Sequence, residues 1–449
     1  MYGREIEPAE QGGVPAKGPQ NAPAIDWTRY RLTKQRVFVI CWVLLAITVG
    51  VAIHQFSQAR ENILPAGAPV GGDYVAFYGA SIAAHQGDAA AIYDHKTFEQ
   101  ILLDVGPPRD RYGLTWQYPP TYYLIIAPLA FLPFVAGYLA WSCGTAALFF
   151  AVMRSAGFSA FFLFALLAAP STFHAFITGQ NGFLTASLII VAALYADKRP
   201  VLAGLAAALL TVKPQLGVLL PVAFLAAGCW RAFFTAALGA VALAAAATGL
   251  FGVDIWQAFL DGAGATSDRL GAGVLPIFKM ITPFAWARYA GAPTVIAATL
   301  HALFALLAVV IVWRVWRRID DAPLRAAALC AGVFMVAPYG LYYEMIILAF
   351  PVAVLAQRAV QRGWMPFEQA TIALMYIGPM AMPGSREPNA VSWGFPIALL
   401  IAAGVMRRIE KDHPGTFGFR RFPVFAAKIG RAYRQLRAPQ AQTTAPPAG

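Results

Sequence analysis

The run VFVICWVLLAITVGVAI at residues 37–53 decides the fold of this chain. It carries no charged residue and no polar stripe, and Arg36 and His54 bracket it. About 20 mostly apolar residues are what a helix needs to cross the hydrocarbon core of a bilayer. The run is too long for a signal peptide and has no cleavable flank, so it reads as a retained anchor. Outward from it the pattern repeats. Apolar residues make up 59% of the 449, charged residues 12%, and mean hydropathy is +0.58. The apolar residues fall in blocks about a bilayer long, separated by clusters of Arg, Lys, Pro and Gly, without the alternation of a barrel strand. Backbone in lipid must satisfy its own polar groups, which leaves helices as the spanning element. The expected fold class is an all-α polytopic membrane protein.

The blocks predict spans at about 36–56, 134–153, 158–170, 181–196, 200–212, 214–228, 232–251, 293–313, 324–337, 342–357, 366–382 and 390–406. Pro170, Pro214 and Pro338 predict broken or abutting helices. The piece 119–132, flanked by Pro119-Pro120 and Pro133, reads either as a crossing or as a juxtamembrane helix. Leaving it out of the count puts most of the 34 Lys and Arg residues on the side of the N-terminal tail. By the positive-inside rule that side is the cytoplasm, which gives twelve spans with both termini inside. The organisation expected is a basic cytoplasmic tail at 1–35, a transmembrane domain at 36–406 and a basic cytoplasmic tail at 407–449, with disordered ends. Arg420 to Arg437, interleaved with Phe419, Phe422, Phe425 and Tyr433, reads either as an amphipathic segment on the anionic leaflet or as a solvated tail.

The net charge of +12 fits contact with anionic lipid headgroups and not with nucleic acid. Cys41, Cys143, Cys229 and Cys330 sit in apolar blocks and suggest neither a disulfide framework nor a metal site. No cluster of His, Asp and Glu has ligand spacing, so a metal requirement stays open.

The same topology sorts the polar residues. Residues 57–118, Ser171 to Asn181, Lys213-Pro214, 252–291 and Tyr339 to Glu344 fall outside. The inner connections carry Arg but no Gly-rich phosphate loop and no Asp-x-Asp, and Asp320-Asp321 reads as a solvated turn. Each outer motif has an ordinary structural reading. Asp73, after Gly71-Gly72, could cap the helix that presents Tyr74, Phe77 and Tyr78. Tyr118-Pro119-Pro120 could start a helix. His174 could be a satisfied polar residue, Lys213 a snorkelling anchor, and Glu344 part of an aromatic belt.

Together, in order and spacing, these pieces resemble glycosyltransferase family 87: Asp73 to Tyr78, Gly87 with Ile92-Tyr93, Tyr118 to Pro128, Gly179 to Asn181, Ala203-Gly204 through Lys213-Pro214, and Tyr342 to Glu344. The resemblance covers roughly residues 36–360. It implies a GT-C fold, with extracytoplasmic juxtamembrane helices, and a polyprenyl-phosphate-sugar donor, with mannose as the sugar. It places the catalytic acidic residue on Asp73 and the lysine after the small-residue helix on Lys213. Where the family pattern has Tyr-Asp, this chain has Tyr343-Glu344.

The chemistry fits one carboxylate. A phosphate leaving group departs as a stable anion, so only the acceptor hydroxyl has to lose a proton. Asp73 is therefore the expected base. Lys213 is the expected cation for the donor phosphate, with Arg109, Arg111, Arg269 and Lys279 in reserve. Tyr78, Tyr118, His174, Gln180, Asn181, Tyr343 and Glu344 are expected at the substrates, and Trp116 offers a further flat face. Residues 252–291 read as interfacial helices that close over the site. The expected partners are the lipid-linked donor, a glycolipid or glycan acceptor and membrane lipids, with no cofactor, at a bacterial inner membrane and with the site on its outer face. The rival readings are a glycan ligase or polymerase using lipid-diphosphate donors, and a flippase, which would carry charge near the midplane.

Overall fold

The computed structural model describes residues 33–271, 277–382 and 392–418. The expectations for 1–32 and 419–449 lie outside the described residues. The run quoted above is helix α1 (Lys34–Ser57), opened by Thr33, whose hydroxyl accepts the Arg36 N–H at 3.3 Å. A loop leads to α2 (Tyr74–Gln86), closed by left-handed Gly87, and α3 (His95–Val105), where Asp94 accepts the Thr97 N–H at 2.8 Å. Residues 119–132 form a broken helical piece. Its α4 (Tyr123–Ile126) lies between the 3-10 turns Pro120–Tyr122 and Ala127–Phe131. Proline rings at 120 and 128 remove the donors that a continuous helix would need.

Beyond Pro133 runs α5 (Phe134–Ser155). Helices α6 (Ala160–Leu167) and α7 (Pro170–Ile177) meet at 57°, the break expected at Pro170. Then come α8 (Gly182–Leu194), α9 (Pro200–Leu209), α10 (Pro214–Gly217), α11 (Leu219–Ala227) and α12 (Trp230–Phe251). The polar stretch after them forms α13 (Asp254–Gly271) and α14 (Pro283–Tyr289). The chain returns to apolar helices in α15 (Thr294–Arg318), α16 (Ala322–Val336), α17 (Ile346–Arg362), α18 (Glu368–Ile377) and α19 (Gly394–Asp412). Among the described residues there are no strands, only isolated bridges such as Met280 with Leu341.

Every predicted span contains a helix, yet helix length supports fewer full crossings than twelve. Five described helices are long and apolar enough to cross a membrane, or six if the bent α6–α7 pair is one span. The segments Gly182–Leu194, Pro200–Val212, Pro214–Ala227 and Ala322–Val336 are apolar but shorter. Fifteen residues rise only about 22 Å, against a hydrocarbon core of about 30 Å. The long helices turn their apolar side chains outward: Leu238 on α12 is 71% exposed and Val295 on α15 is 77% exposed. Such faces suit lipid, and they mark a membrane protein. Inside, α8, α16 and α17 are buried along most of their length. Helices α9 and α12 approach through small residues. A Cβ on Gly204 would lie 2.5 Å from the Thr235 Cβ, and one on Gly239 2.7 Å from the Ala208 Cβ.

Two clusters of buried side chains result. One fills the helical bundle; the other is an aromatic layer of Tyr74, Phe77, Trp116, Tyr122, Tyr138 and Trp141 beside α2 and the 120–131 segment. Arginine ion pairs hold the start of α16, the end of α17 and the α18–α19 pair. Arg325 meets Asp197 at 2.8 Å, Arg358 meets Asp321 at 2.7 Å, and Arg408 meets Glu368. Asp321 departs from the solvated turn expected of it: it accepts the Leu324 N–H at 3.2 Å to cap α16 and pairs with Arg358, while Asp320 alone is solvated.

Candidate active site

Three glycines bring two of the sequence motifs together. Gly71 and Gly72 have φ of +78° and +55°, and Gly179 has φ of +57°, all in the left-handed region. A Cβ on Gly179 would stand 2.4 Å from the Gly71 carbonyl oxygen, and one on Gly71 would stand 2.6 Å from the Tyr138 ring. The Gly-Gly-Asp turn therefore seats directly in the Thr-Gly-Gln-Asn turn, and the Asp73 N–H donates to the Thr178 carbonyl at 3.0 Å.

Asp73 stands just before α2, but its carboxylate makes no capping bond. It accepts instead from Gln180 Nε2 at 2.9 Å, across 107 residues of chain. The other end of the Gln180 amide, Oε1, accepts the Tyr118 hydroxyl at 3.0 Å. The Tyr118 carbonyl in turn accepts the Tyr93 hydroxyl at 2.7 Å, and Tyr93 packs edge-on against Phe259 of α13 at 5.8 Å. This chain of contacts fixes the Asp73 rotamer through neutral groups.

Lys213 occupies the kink between the 210–212 turn and α10, with φ −149° and ψ 68°. It does not snorkel to the surface: the residue is 5% exposed. Its ammonium contacts Glu344 Oε1 at 2.5 Å, a charge contact without hydrogen-bond alignment, and donates to Asn181 Oδ1 at 3.2 Å. It also lies 5.4 Å from the ring centre of Tyr118 and 5.3 Å from that of Tyr343. Glu344 is held by its second oxygen, which accepts the Leu341 N–H at 2.8 Å. Gly182 lets α8 meet this turn; a Cβ there would be 2.7 Å from the Tyr343 carbonyl oxygen. Lys279 rides on the neighbouring segment, where Met280 bridges to Leu341 and the Ile281 N–H donates to the Gly340 carbonyl at 2.9 Å.

Burial pushes the Asp73 carboxyl above the usual carboxylate range, opposed by the Gln180 hydrogen bond and then by the charges of Lys279 and Lys213. Burial, followed by the negative charges of Glu344 and Asp73, holds the Tyr118 phenol well above its ordinary value, so it stays a neutral donor. The Asn181 Nδ2 amide faces the Tyr118 and Tyr122 hydroxyls without an aligned hydrogen bond. The Thr121 and Thr211 Oγ1 atoms are also buried without a partner among the described residues, as is the Tyr74 hydroxyl, which packs against Gly137 of α5. Unpaired buried donors of this kind are rare in a purely structural core.

The expected site residues divide into two sets. Asp73, Tyr118, Gln180, Asn181, Lys213, Tyr343 and Glu344 form one connected group, with Lys279 within electrostatic reach of Asp73. His174 joins at its margin, edge-on to Tyr342 at 5.6 Å. Tyr78 packs on Phe134 at 5.4 Å instead. Arg109 covers the Tyr112 ring at 5.4 Å and Arg111 is exposed on the same loop. No hydrogen bond or ion pair joins either of them, or Arg269 on α13, to the group among the described residues. Sequence reading passed over Tyr122 and undervalued Tyr93. Their signal was slight, one Tyr in Tyr118-Pro119-Pro120-Thr121-Tyr122 and one after Ile92. Among the described residues no group of three or more His, Cys, Asp and Glu is placed to hold a metal.

Fold and site together define a helical membrane protein with a half-buried carboxylate that caps no helix, set near a paired lysine. Residues 116–338 match the model of glycosyltransferase family 87. Over that stretch the chain is a family 87 sequence, and the family indicates a glycosyltransferase acting on a sugar donor and an acceptor. The match contains Tyr118, Gln180, Asn181 and Lys213; Asp73 and Glu344 lie outside it. No curated protein and no solved structure matches the chain.

Proposed function

We propose that this protein moves a hexose, mannose by the family resemblance, from a polyprenyl-phosphate donor to a hydroxyl of a glycolipid or glycan, with inversion, in a GT-C fold. The observation that carries the proposal is Asp73: a half-buried carboxylate that caps nothing and is aimed by Gln180. Asp73 takes the proton of the acceptor hydroxyl. The freed oxygen bonds to the anomeric carbon as the carbon–oxygen bond to phosphate breaks, and the lipid phosphate departs with that electron pair. One negative charge builds on the phosphate during this step, so a nearby cation lowers the barrier.

Two lysines divide that task. Lys213 is already engaged by Glu344 and Asn181. Lys279 makes no ion pair among the described residues and acts on Asp73 more strongly than Lys213 does. Lys279 is thus the more available cation for the donor phosphate, while Lys213 shares it once Glu344 yields. Asn181 Nδ2 and the Tyr122 hydroxyl offer hydrogen bonds to sugar hydroxyls.

The arginine ends of α16 and α17 lie opposite the Asp73 site, which supports an outer location for the chemistry in a bacterial inner membrane. A diphosphate donor would call for more cations at the site, and Arg109 and Arg111 face elsewhere; a flippase would carry its charges near the midplane. The test is transfer of radiolabelled mannose from polyprenyl-phosphate-mannose to membrane glycolipids by purified protein and by Asp73→Asn. Transfer by the first alone is the expected result. Equal transfer by both would remove Asp73 from the chemistry.

A further inference from the structure

A cavity of about 760 Å³ lies between α1, α6, α17 and α18, outside the polar group described above. Its wall on this side begins at Met345, just before α17, and follows one face of the helix through Leu348-Ala349, Val352-Ala353, Ala356 and Val360, about one turn apart. The alanines make this face a trough, whereas the other faces of α17 are packed into the bundle through Ile347, Phe350 and Leu355.

The two ends of the trough differ. At one end stands Met345, next in the chain to Glu344, with Ser171 of α7 and Pro379 beside it. At the other stand Lys34 and Trp364, an ammonium and an indole of the kind found where hydrocarbon meets headgroups. From Met345 to Val360 the helix rises about 22 Å. Half the hydrocarbon core is only about 15 Å. An acyl chain hung from an outer headgroup ends near the midplane and leaves the far part of the trough empty. A phospholipid of the inner leaflet fills only that far part.

We infer that the trough seats the hydrocarbon of a lipid-linked sugar donor whose chain is longer than one leaflet, an isoprenoid that enters beside Met345 and runs toward Trp364. The inference rests on the proposed lipid-linked donor and adds the chain-length requirement and the place where the chain lies. The trough then works as a ruler: a long chain gains contact along α17, and a short one leaves the lower part unfilled.

The test is a donor series carrying the same sugar phosphate on citronellyl, farnesyl and undecaprenyl chains, assayed on the whole protein in nanodiscs. Wild type is expected to use the undecaprenyl donor with kcat/KM at least about tenfold above farnesyl. Ala353→Trp, which fills the trough, is expected to erase that advantage by lowering undecaprenyl use about tenfold or more and farnesyl use by less. Ala356→Phe repeats the test in case the larger change disturbs folding, and Leu238→Trp on the lipid face of α12 is the control. Equal use of all chain lengths, untouched by either filling variant, overturns the trough and leaves the transferase reading standing. Absence of transfer from every lipid-linked donor overturns the reading beneath it. Independently of activity, a photoactivatable isoprenyl phosphate should label the α17 segment around Ala353. Competition by undecaprenyl phosphate but not by phosphatidylglycerol is expected; labelling elsewhere, or equal competition by the phospholipid, sinks the proposal.

Discussion

Arg408 and Lys213 are both buried cations, at opposite ends of the bundle, and their surroundings differ. Arg408 donates to Glu368 Oε1 at 2.9 Å, pairs with its second oxygen, and reaches the Gly363 carbonyl through Nη1 and Nη2 at 3.3 and 3.2 Å. Glu368 in turn accepts the Met365 N–H at 2.8 Å, and Asp412 stands 3.6 Å from the guanidinium. Lys213 has one misaligned charge contact, one hydrogen bond and two ring faces, among amides and hydroxyls that lack partners. A buried charge answered on all sides ties helices together. A buried charge answered in part can exchange its partner for a substrate.

The sharpest way to break this contrast is Asp73→Asn. Transfer should fall about 10²- to 10⁴-fold, the range for a lost general base. Stability should hold or rise, because the folded-state pKa lies above the unfolded one and the buried charge opposes folding at neutral pH. A clear drop in melting temperature would make Asp73 structural. Arg408→Met should do the reverse, costing about 3–5 kcal/mol by leaving Glu368 buried and unpaired, with kcat per folded molecule unchanged. Denaturation and kinetics on one preparation read both; restored stability in Arg408→Met with Glu368→Met would sharpen the case.

Smaller effects follow at the site. Gln180→Leu should lower kcat about tenfold, the worth of one hydrogen bond to a charged group. The acid limb of the pH–rate profile belongs above about 4, where an ordinary carboxylate titrates, and should move higher still in this variant because Gln180 holds the Asp73 pKa down. A limb that stays put would detach Gln180 from the base. Glu344→Gln should have the mildest effect: with Lys213 released, donor KM falls several-fold and kcat changes little. A raised KM would make Glu344 a substrate ligand and not a resident counter-ion.

Asp73, Gln180, Asn181, Lys213 and Glu344 were legible in the sequence for a common reason. Each is a polar residue at a break between apolar blocks, where burial without purpose is costly. That Arg109 and Arg111 stand apart from the group was not legible, because charge is visible in a sequence and loop geometry is not; a loop has no period from which to read which way a side chain faces. The helices were legible from the blocks, but the number of full crossings was not, since Pro170, Pro200 and Pro214 cut apolar stretches into pieces whose depth depends on their neighbours. Tyr93 and Tyr122 stayed hidden because aromatic residues are 13% of the chain, and position alone separates a hydrogen-bonding tyrosine from a packing one.

The interlocked glycine turns carry a consequence for the order in which the protein is made. Asp73 leaves the ribosome more than a hundred residues ahead of Gly179 and Gln180, which give it a seat, and Lys213 emerges well before Glu344. The earliest helices therefore enter the membrane with an unaimed carboxylate, and the centre closes only when the segment before α17 arrives. A nascent chain halted after α12 holds Asp73, Gln180 and Lys213 yet lacks Lys279 and the turn that carries Glu344, and is expected to be inert. On the proposed chemistry, activity begins as a late event of biogenesis, once Lys279 and the turn before α17 have arrived.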